Sequence, residues 1–238
     1  MDFRLKRYRK DFTYSYSNGV FSTIELLVTR PEHVIRVILS SSGERNEGII
    51  KIRKLCMEHD IPVEVNDRVI QRVCLKGKHL ALGVFSKYRS SIVLKDNHMV
   101  LVNPSDMGNI GTIARTMVGF GLPNLALIRP AVDYFDPRAV RASMGAVFRL
   151  NIEYFDNLRD YQNISGNNLY LFRTGDGHNV RETRFEKPFS LVFGNESSGL
   201  PDDIGAEGKI ISIPQTGKID SLNLSVAAGI ALYESSRI

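Results

Sequence analysis

The stretch Lys209–Tyr233, KIISIPQTGKIDSLNLSVAAGIALY, constrains the fold of this chain more than any other. It reads as a buried strand, Ile210 to Ile213, stopped by Pro214. A polar loop, Gln215 to Ser221, leads into a helix that Asp220 or Ser221 is placed to cap through a side-chain oxygen. Leu222, Val226, Gly229, Ile230 and Tyr233 fall on one face of that helix. Leu224, Ala227, Ala228, Ala231 and Leu232 make most of the other face apolar too. A helix apolar nearly all round must be covered on two sides. The parent sheet can supply one cover and a second copy of the chain the other. Ser221 and Asn223 sit where the helix starts. Polar groups at a strand-to-helix turn face the crevice beyond the strand ends, where open α/β sheets bind ligands.

The same strand-then-polar-loop pattern recurs upstream. Met99–Val102 runs into NPSDMGNIGTIARTMVGFGL, in which Ile110, Ile113, Ala114, Met117 and Val118 have helical spacing. The turn between them can offer backbone N–H groups to an anion. Gly108 and Gly111 lack GxGxxG spacing and no GK[ST] follows, which excludes the dinucleotide fingerprint and the P-loop. Asn109 and Arg115 are the polar interruptions of this apolar helix. Leu125–Ile128, Ile152–Phe155, Leu169–Phe172 and Leu191–Phe193 read as further strands. Arg129–Gly145 is a long loop with a short helix carrying Arg138 and Arg141. The strand at 169–172 ends in RTGDGHN. The strand at 191–193 ends in GNESSGLP, where Gly194 and Gly199 bracket Glu196 and Leu200-Pro201 opens a new short helix. If these strands run parallel, their loops gather along one edge of the sheet and build one site.

Charge divides the chain. Residues 1–90 hold 17 Lys and Arg against 10 Asp and Glu, and the remainder holds 14 against 16. A basic half joined to a near-neutral half suits a polyanionic partner. In the basic half, Phe21, Ile24 and Leu27 have helical spacing up to a break at Pro31. Val34–Leu39, Ile61–Val65 and Leu80–Phe85 read as strands, and Glu44–His59 and Arg68–Cys74 as helices, the latter capped by Asn66 or Asp67. This alternation is that of a small layered α/β domain, and we place its boundary at 88/89. The candidate polyanion contacts are Arg4, Lys6, Arg7, Arg9, Lys10, Lys76 and Lys78, joined by Arg138 and Arg141 from the second half. His33, His59 and His79 are isolated, and Cys56 and Cys74 lack metal-ligand spacing, as expected of reduced thiols in a cytoplasmic protein that holds no metal. No apolar run approaches the roughly 20 residues of a membrane span, and the basic N-terminus has no apolar core behind it to make a secretory signal.

Three stretches, NPSDMGNIGTIART, LVFGNESSGLP and ISIPQTGKIDSLNLSVAAGIALYE, in this order resemble the three motifs of SpoU/TrmH-type RNA 2′-O-ribose methyltransferases. ASMGAVFRL is also similar to that family. The resemblance covers about the last 140 residues. The first half resembles the substrate-binding domain, similar to ribosomal protein L30e, that many members carry. The resemblance implies a SPOUT domain over 89–238, with a parallel α/β sheet and a deep trefoil knot, behind an L30e-like RNA-binding domain over 1–88. It further implies S-adenosylmethionine bound in the knot, a homodimer, and RNA as substrate; the added basic domain favours ribosomal RNA, with transfer RNA the other candidate. By motif position, Thr174, Gly175, Phe193, Gly194, Ile213, Leu222 and Asn223 are implied cofactor contacts. Asn109, Arg115, Glu196, Ser221 and Asn223 are the implied catalytic polar set. Asn103 stands where the family commonly has Asp, and Asp106 where Asn is usual.

The implied reaction is an in-line attack of a ribose 2′-oxygen on a sulfonium methyl group, with Arg115 in the family's role of base. A guanidinium stays protonated throughout the physiological range. Arg115 is therefore better read as the group that positions the target phosphate and ribose. The alternatives are a non-catalytic RNA-binding or ribosome-assembly protein on the same fold, and a base methylase. The intact polar set argues against both.

Overall fold

The computed structural model describes residues 5–74, 77, 79–175, 177–201 and 207–237. Arg4, Lys76, Lys78 and all but the first residues of the short helix expected from Leu200-Pro201 lie outside the described residues. In chain order the elements are β1 (Tyr14–Asn18), α1 (Val20–Thr29), β2 (Val34–Leu39), α2 (Glu47–Glu58), β3 (Val63–Val65), α3 (Asp67–Val73) and β4 (Ala81–Ser86). There follow β5 (His98–Val102), α4 (Met107–Gly119), β6 (Asn124–Ile128), α5 (Pro137–Ala142), β7 (Asn151–Phe155), α6 (Leu158–Ser165) and β8 (Asn168–Phe172). The chain ends with β9 (His178–Asn179), β10 (Phe189–Phe193), β11 (Lys209–Ser212) and α7 (Leu224–Ser235). No helix among the described residues is long and apolar enough to cross a membrane.

The chain divides into two compact units, Met1–Tyr88 with Asp133–Arg149, and Arg89–Val132 with Leu150–Ile238. The first is a mixed sheet in the order β1-β4-β2-β3, in which only β2 and β3 pair in parallel. Alternation along β2 sends Val37 and Leu39 to one face, with Ile49, Ile52 and Cys56 of α2, and Ile38 to the other, with Ile70 and Val73 of α3. The strand β1 was not expected. Its sequence, YSYSN, alternates Tyr with Ser, and both serines are fully buried. They are tolerated because Ser15 donates to the Phe135 carbonyl and Ser17 bonds the Thr23 hydroxyl at 3.1 Å.

The segment 133–149 is the main departure from the expected organisation, which assigned it to the second domain. It belongs to the first unit because its apolar side chains are buried there. Phe135 and Phe148 meet Phe85 edge-on at 5.4 and 5.1 Å, and α5 lies against β1. Gly145, at φ +89°, lets the turn approach α1 closely: a Cβ there would stand 2.6 Å from that of Glu25. Arg149 pairs with Glu25, and Arg30 Nε donates to the Phe148 carbonyl at 3.1 Å.

The second unit is a seven-stranded sheet, β7-β6-β5-β10-β8-β11-β9, in which every pairing is parallel. The central strands β6, β5 and β10 are buried along their whole length, as sheets covered on both faces require. The helix α6 escaped the sequence reading. It carries Tyr161, whose hydroxyl joins His98 Nδ1 and Ser190 Oγ, each at 2.6 Å, in a buried chain across β5 and β10. The helix α7 begins later than expected. Asn223, not Asp220 or Ser221, is its cap: the Asn223 side chain accepts from the Ser225 N–H at 2.8 Å. Leu224, Ala228, Ala231 and Leu232 are buried, and α7 lies against α4 and β10. On the face of Val226, Gly229, Ile230 and Tyr233, Val226 and Tyr233 are about half exposed and Gly229 and Ile230 partly so, among the described residues.

Candidate active site

The site is built where parallel strands end. A pocket of about 450 Å³ opens beyond the C-terminal ends of β8, β10 and β11. Phe172 and Phe193, the last residues of adjacent parallel strands, present stacked rings 4.5 Å apart on one side. Ile213 and Leu222 line another part, and Ser221 and Asp220 bring a hydroxyl and a carboxylate. A planar heterocycle carrying a cationic sulfonium fits such a mixed lining of ring faces and anionic or hydroxyl oxygens.

The loop after β10 is folded to make room. Asn195 and Gly199 exchange backbone hydrogen bonds at 3.1 and 2.9 Å. The Asn195 side chain accepts from the N–H groups of Ser197 and Ser198 and donates to the Asn103 carbonyl at 2.7 Å. Only glycine fits at 194, because a Cβ there would stand 2.1 Å from the Gly199 carbonyl carbon.

Glu196 ties this loop to the one after β5. Its carboxylate accepts from Ser105 Oγ at 2.7 Å and from the Ser105 and Asp106 N–H groups, both at 3.1 Å. Asn109 Nδ2 donates to the same carboxylate at 3.3 Å, and Asn223 Nδ2 donates to Asn109 Oδ1 at 3.1 Å. One chain of hydrogen bonds thus runs Ser105–Glu196–Asn109–Asn223 through all three sequence motifs. Burial pushes the Glu196 carboxyl upward, but the donors from Ser105 and the backbone outweigh it and hold the group below the usual glutamate range.

The two departures from the family pattern have local reasons. Asn103 adopts φ +52°, a left-handed conformation that Asn tolerates better than most residues. Asp106 caps α4 by accepting from the Asn109 N–H at 2.7 Å.

Of the expected cofactor contacts, Thr174, Phe193, Gly194, Ile213 and Leu222 line the pocket. Gly175 and Asn223 lie outside its lining. Of the expected catalytic residues, Glu196 and Ser221 line the pocket, and Asn109 and Asn223 stand in the hydrogen-bonded chain. Arg115 is exposed on α4, six residues and about 9 Å of helix rise beyond Asn109. Ser105 and Asn195 were missed, since Ser105 meets a carboxylate 91 residues away and Asn195 meets backbone groups that side-chain patterns do not announce. In the first unit Arg7 Nε donates to the Arg72 carbonyl, Arg9 pairs with Asp11, and Arg138 is held by Asp136 at 2.8 Å. Lys6, Lys10 and Arg141 are exposed.

Comparison with known proteins bears directly on this geometry. Residues 96–233 match the model of the SpoU rRNA methylase family, more than half the chain. The chain belongs to the SpoU rRNA methylase family. A 23S rRNA (adenosine(1067)-2′-O)-methyltransferase from Streptomyces azureus is 30% identical over 204 residues, 76% of this chain and 71% of that protein. A ribosomal RNA small subunit methyltransferase G 2 from Syntrophobacter fumaroxidans is 36% identical over 138 residues, but this chain spans only 27% of that protein. The crystal structure of an AdoMet-bound rRNA methyltransferase from Sinorhizobium meliloti superposes with a TM-score of 0.80 at 26% identity, over 94% of this chain and 87% of that one. The SpoU protein described here shares the α/β fold of those methyltransferases, built on an all-parallel sheet, and the Sinorhizobium meliloti structure it superposes on has AdoMet bound.

Proposed function

We propose that the chain methylates the 2′-hydroxyl of one ribose in ribosomal RNA. The observation that carries this reading is the hydrogen-bonded chain Ser105–Glu196–Asn109–Asn223, which locks three motif loops beside the pocket. The Streptomyces azureus relative, named for 2′-O methylation of 23S rRNA, supports the choice of RNA.

Phe172, Phe193, Gly194, Ile213 and Leu222 would hold the cofactor, with Thr174 beside them. When bound, S-adenosylmethionine supplies an electrophilic methyl carbon on a sulfonium and leaves as a neutral thioether. The residues of the chain then place a ribose oxygen in line with that carbon, and the hydroxyl proton passes to solvent water as the new C–O bond forms. Arg115 does the placing, holding the phosphate beside the target ribose through a charge-assisted bond. Asn109 and Asn223 orient the nucleophile, Glu196 keeps the loops in register, and Ser221 adds a hydrogen bond at the pocket wall. The α7 face of Val226, Ile230 and Tyr233 receives the same face of a second copy, which makes the active form a homodimer. The basic first unit, read as an L30e-like domain, contacts the RNA.

The test is Arg115→Ala. Methyl transfer to unmethylated ribosomal RNA falls by roughly 10²-fold or more, while the dissociation constant for S-adenosylmethionine in calorimetry stays within about twofold. Turnover near that of the parent protein removes Arg115 from the mechanism.

A further inference from the structure

A second cleft, wider than the candidate cofactor pocket, lies wholly within the first unit, encloses about 960 Å³, and is walled by segments far apart in sequence, around residues 7, 40, 67–74, 79–80 and 136–138. That volume is of the order that takes a drug-sized ligand.

Its walls differ in chemistry. One end is hydroxyl- and acid-rich: Ser40 and Ser41 donate to the Asp67 carboxylate at 2.6 and 2.5 Å, with Gln71 and His79 nearby on the lining. These bonds hold the Asp67 carboxyl below its ordinary range. Ile70, Val73 and Pro137 give apolar surface. A cation comes from the N-terminal segment. Arg7 lines the cleft and also lines an adjoining groove of about 510 Å³, together with Leu5, Lys6 and Arg72. Asp136 and Arg138 on the third wall neutralise one another through two bonds, at 2.9 and 2.8 Å.

A phosphate would be repelled from the Asp67 end and attracted to the groove of Lys6, Arg7 and Arg72. A nucleobase has the opposite fit: it brings N–H donors for carboxylate and hydroxyl oxygens and flat faces for apolar walls. Single-stranded RNA is read in this way, by a cationic track for the backbone beside a pocket for an unstacked base. We propose that this cleft takes one unstacked nucleobase of the RNA substrate, with the flanking phosphates on Lys6, Arg7 and Arg72. The inference rests on the reading of this protein as an RNA-modifying enzyme, and adds a base-reading site in the first unit, apart from the methyl-donor pocket.

The test uses the full-length protein and total RNA from cells that lack it. Ultraviolet cross-linking with mass spectrometry locates nucleotide adducts, and filter binding measures RNA affinity. Two substitutions fill the cleft from different walls, Gln71→Trp on α3 and Ser42→Trp in the turn after β2; both positions are exposed, and thermal melting checks their folding. Adducts fall on Tyr8, Cys74 or His79, and each substitution weakens RNA binding at least tenfold with S-adenosylmethionine affinity within twofold. Affinity within twofold of the parent protein in both variants, or adducts confined to other surfaces, overturns the proposal. So does full competition by mixed nucleoside monophosphates at the RNA's own nucleotide concentration, since the site would then serve free nucleotides. Methyl transfer is followed in parallel. Protein that cross-links through the cleft but transfers no methyl group overturns the proposed function and supports the cleft.

Discussion

Glu196 ties the loop after β10 to the loop after β5, and its protonation state can be read in the stability of the protein. Its carboxylate serves donors from Ser105, Asp106 and Asn109, and its folded pKa lies below the ordinary value of 4.5. A carboxyl with a depressed folded pKa contributes stability that is present above the unfolded pKa and lost as pH falls through the folded one. Glu196→Gln keeps the shape and removes the charge. We expect it to cost roughly 1 kcal/mol at neutral pH, a modest figure because the group is partly solvated. The difference in melting temperature from the parent protein shrinks as pH is lowered past about 4.5. A gap that stays constant over that range assigns the stability to groups other than Glu196. The sequence named Glu196, Asn109 and Asn223 through their motifs. It did not name Ser105 or Asn195, because Ser105 meets the Glu196 carboxylate and Asn195 meets backbone groups that only the folded loops bring within reach.

Elements were legible where burial left a simple pattern. The strands β5, β6 and β10 are buried on both faces and read as continuous apolar runs. The strand β1 was illegible because its buried positions include serines that look like solvent-facing residues until Thr23 and Phe135 are in place. The helix α6 is short, and its buried residues Leu158 and Tyr161 are too few to set a period. Tyr161 nonetheless anchors a costly buried network. Its hydroxyl is pushed up to about 12 by burial, and it serves both His98 and Ser190. Tyr161→Phe leaves those two groups short of a partner and should cost about 1–3 kcal/mol by thermal denaturation. Burial lowers the His98 pKa below 6.5, so the folded state binds its proton less readily than the unfolded chain. His98 therefore subtracts stability as pH falls below about 6.5, and His98→Gln should flatten that part of the profile. An unchanged slope between neutral pH and pH 5 rules out His98 as its source. The last helix carries a different prediction. Ile230 lies, partly exposed, on the face of α7 that carries the half-exposed Val226 and Tyr233, so Ile230→Asp should convert the proposed homodimer to monomer in analytical ultracentrifugation with little effect on the monomer's melting temperature. A variant that still sediments as a dimer places the interface elsewhere.

At the scale of the whole molecule, the boundary at 88/89 tells only part of the organisation, because 133–149 crosses back to the first unit. No local pattern announces this. It follows from Phe135 and Phe148 finding Phe85, and from a glycine that lets the turn approach α1. A chain beginning at residue 89 keeps the two phenylalanines and loses the aromatic ring that covers them. We expect that truncation to aggregate, and to be rescued by Phe135→Ser with Phe148→Ser. The rescued chain should keep its affinity for S-adenosylmethionine, because the strands and loops that line the pocket all belong to the second unit. RNA binding should respond differently. If Lys6, Arg7 and Arg72 each neutralise a phosphate, their loss makes the slope of log affinity against log salt shallower by about 2, at roughly 0.7 per single-strand contact. Filter binding across a salt series measures this directly. An unchanged slope with unchanged affinity would leave the first unit's excess of positive charge as a solvated surface and move RNA recognition to the methyltransferase unit.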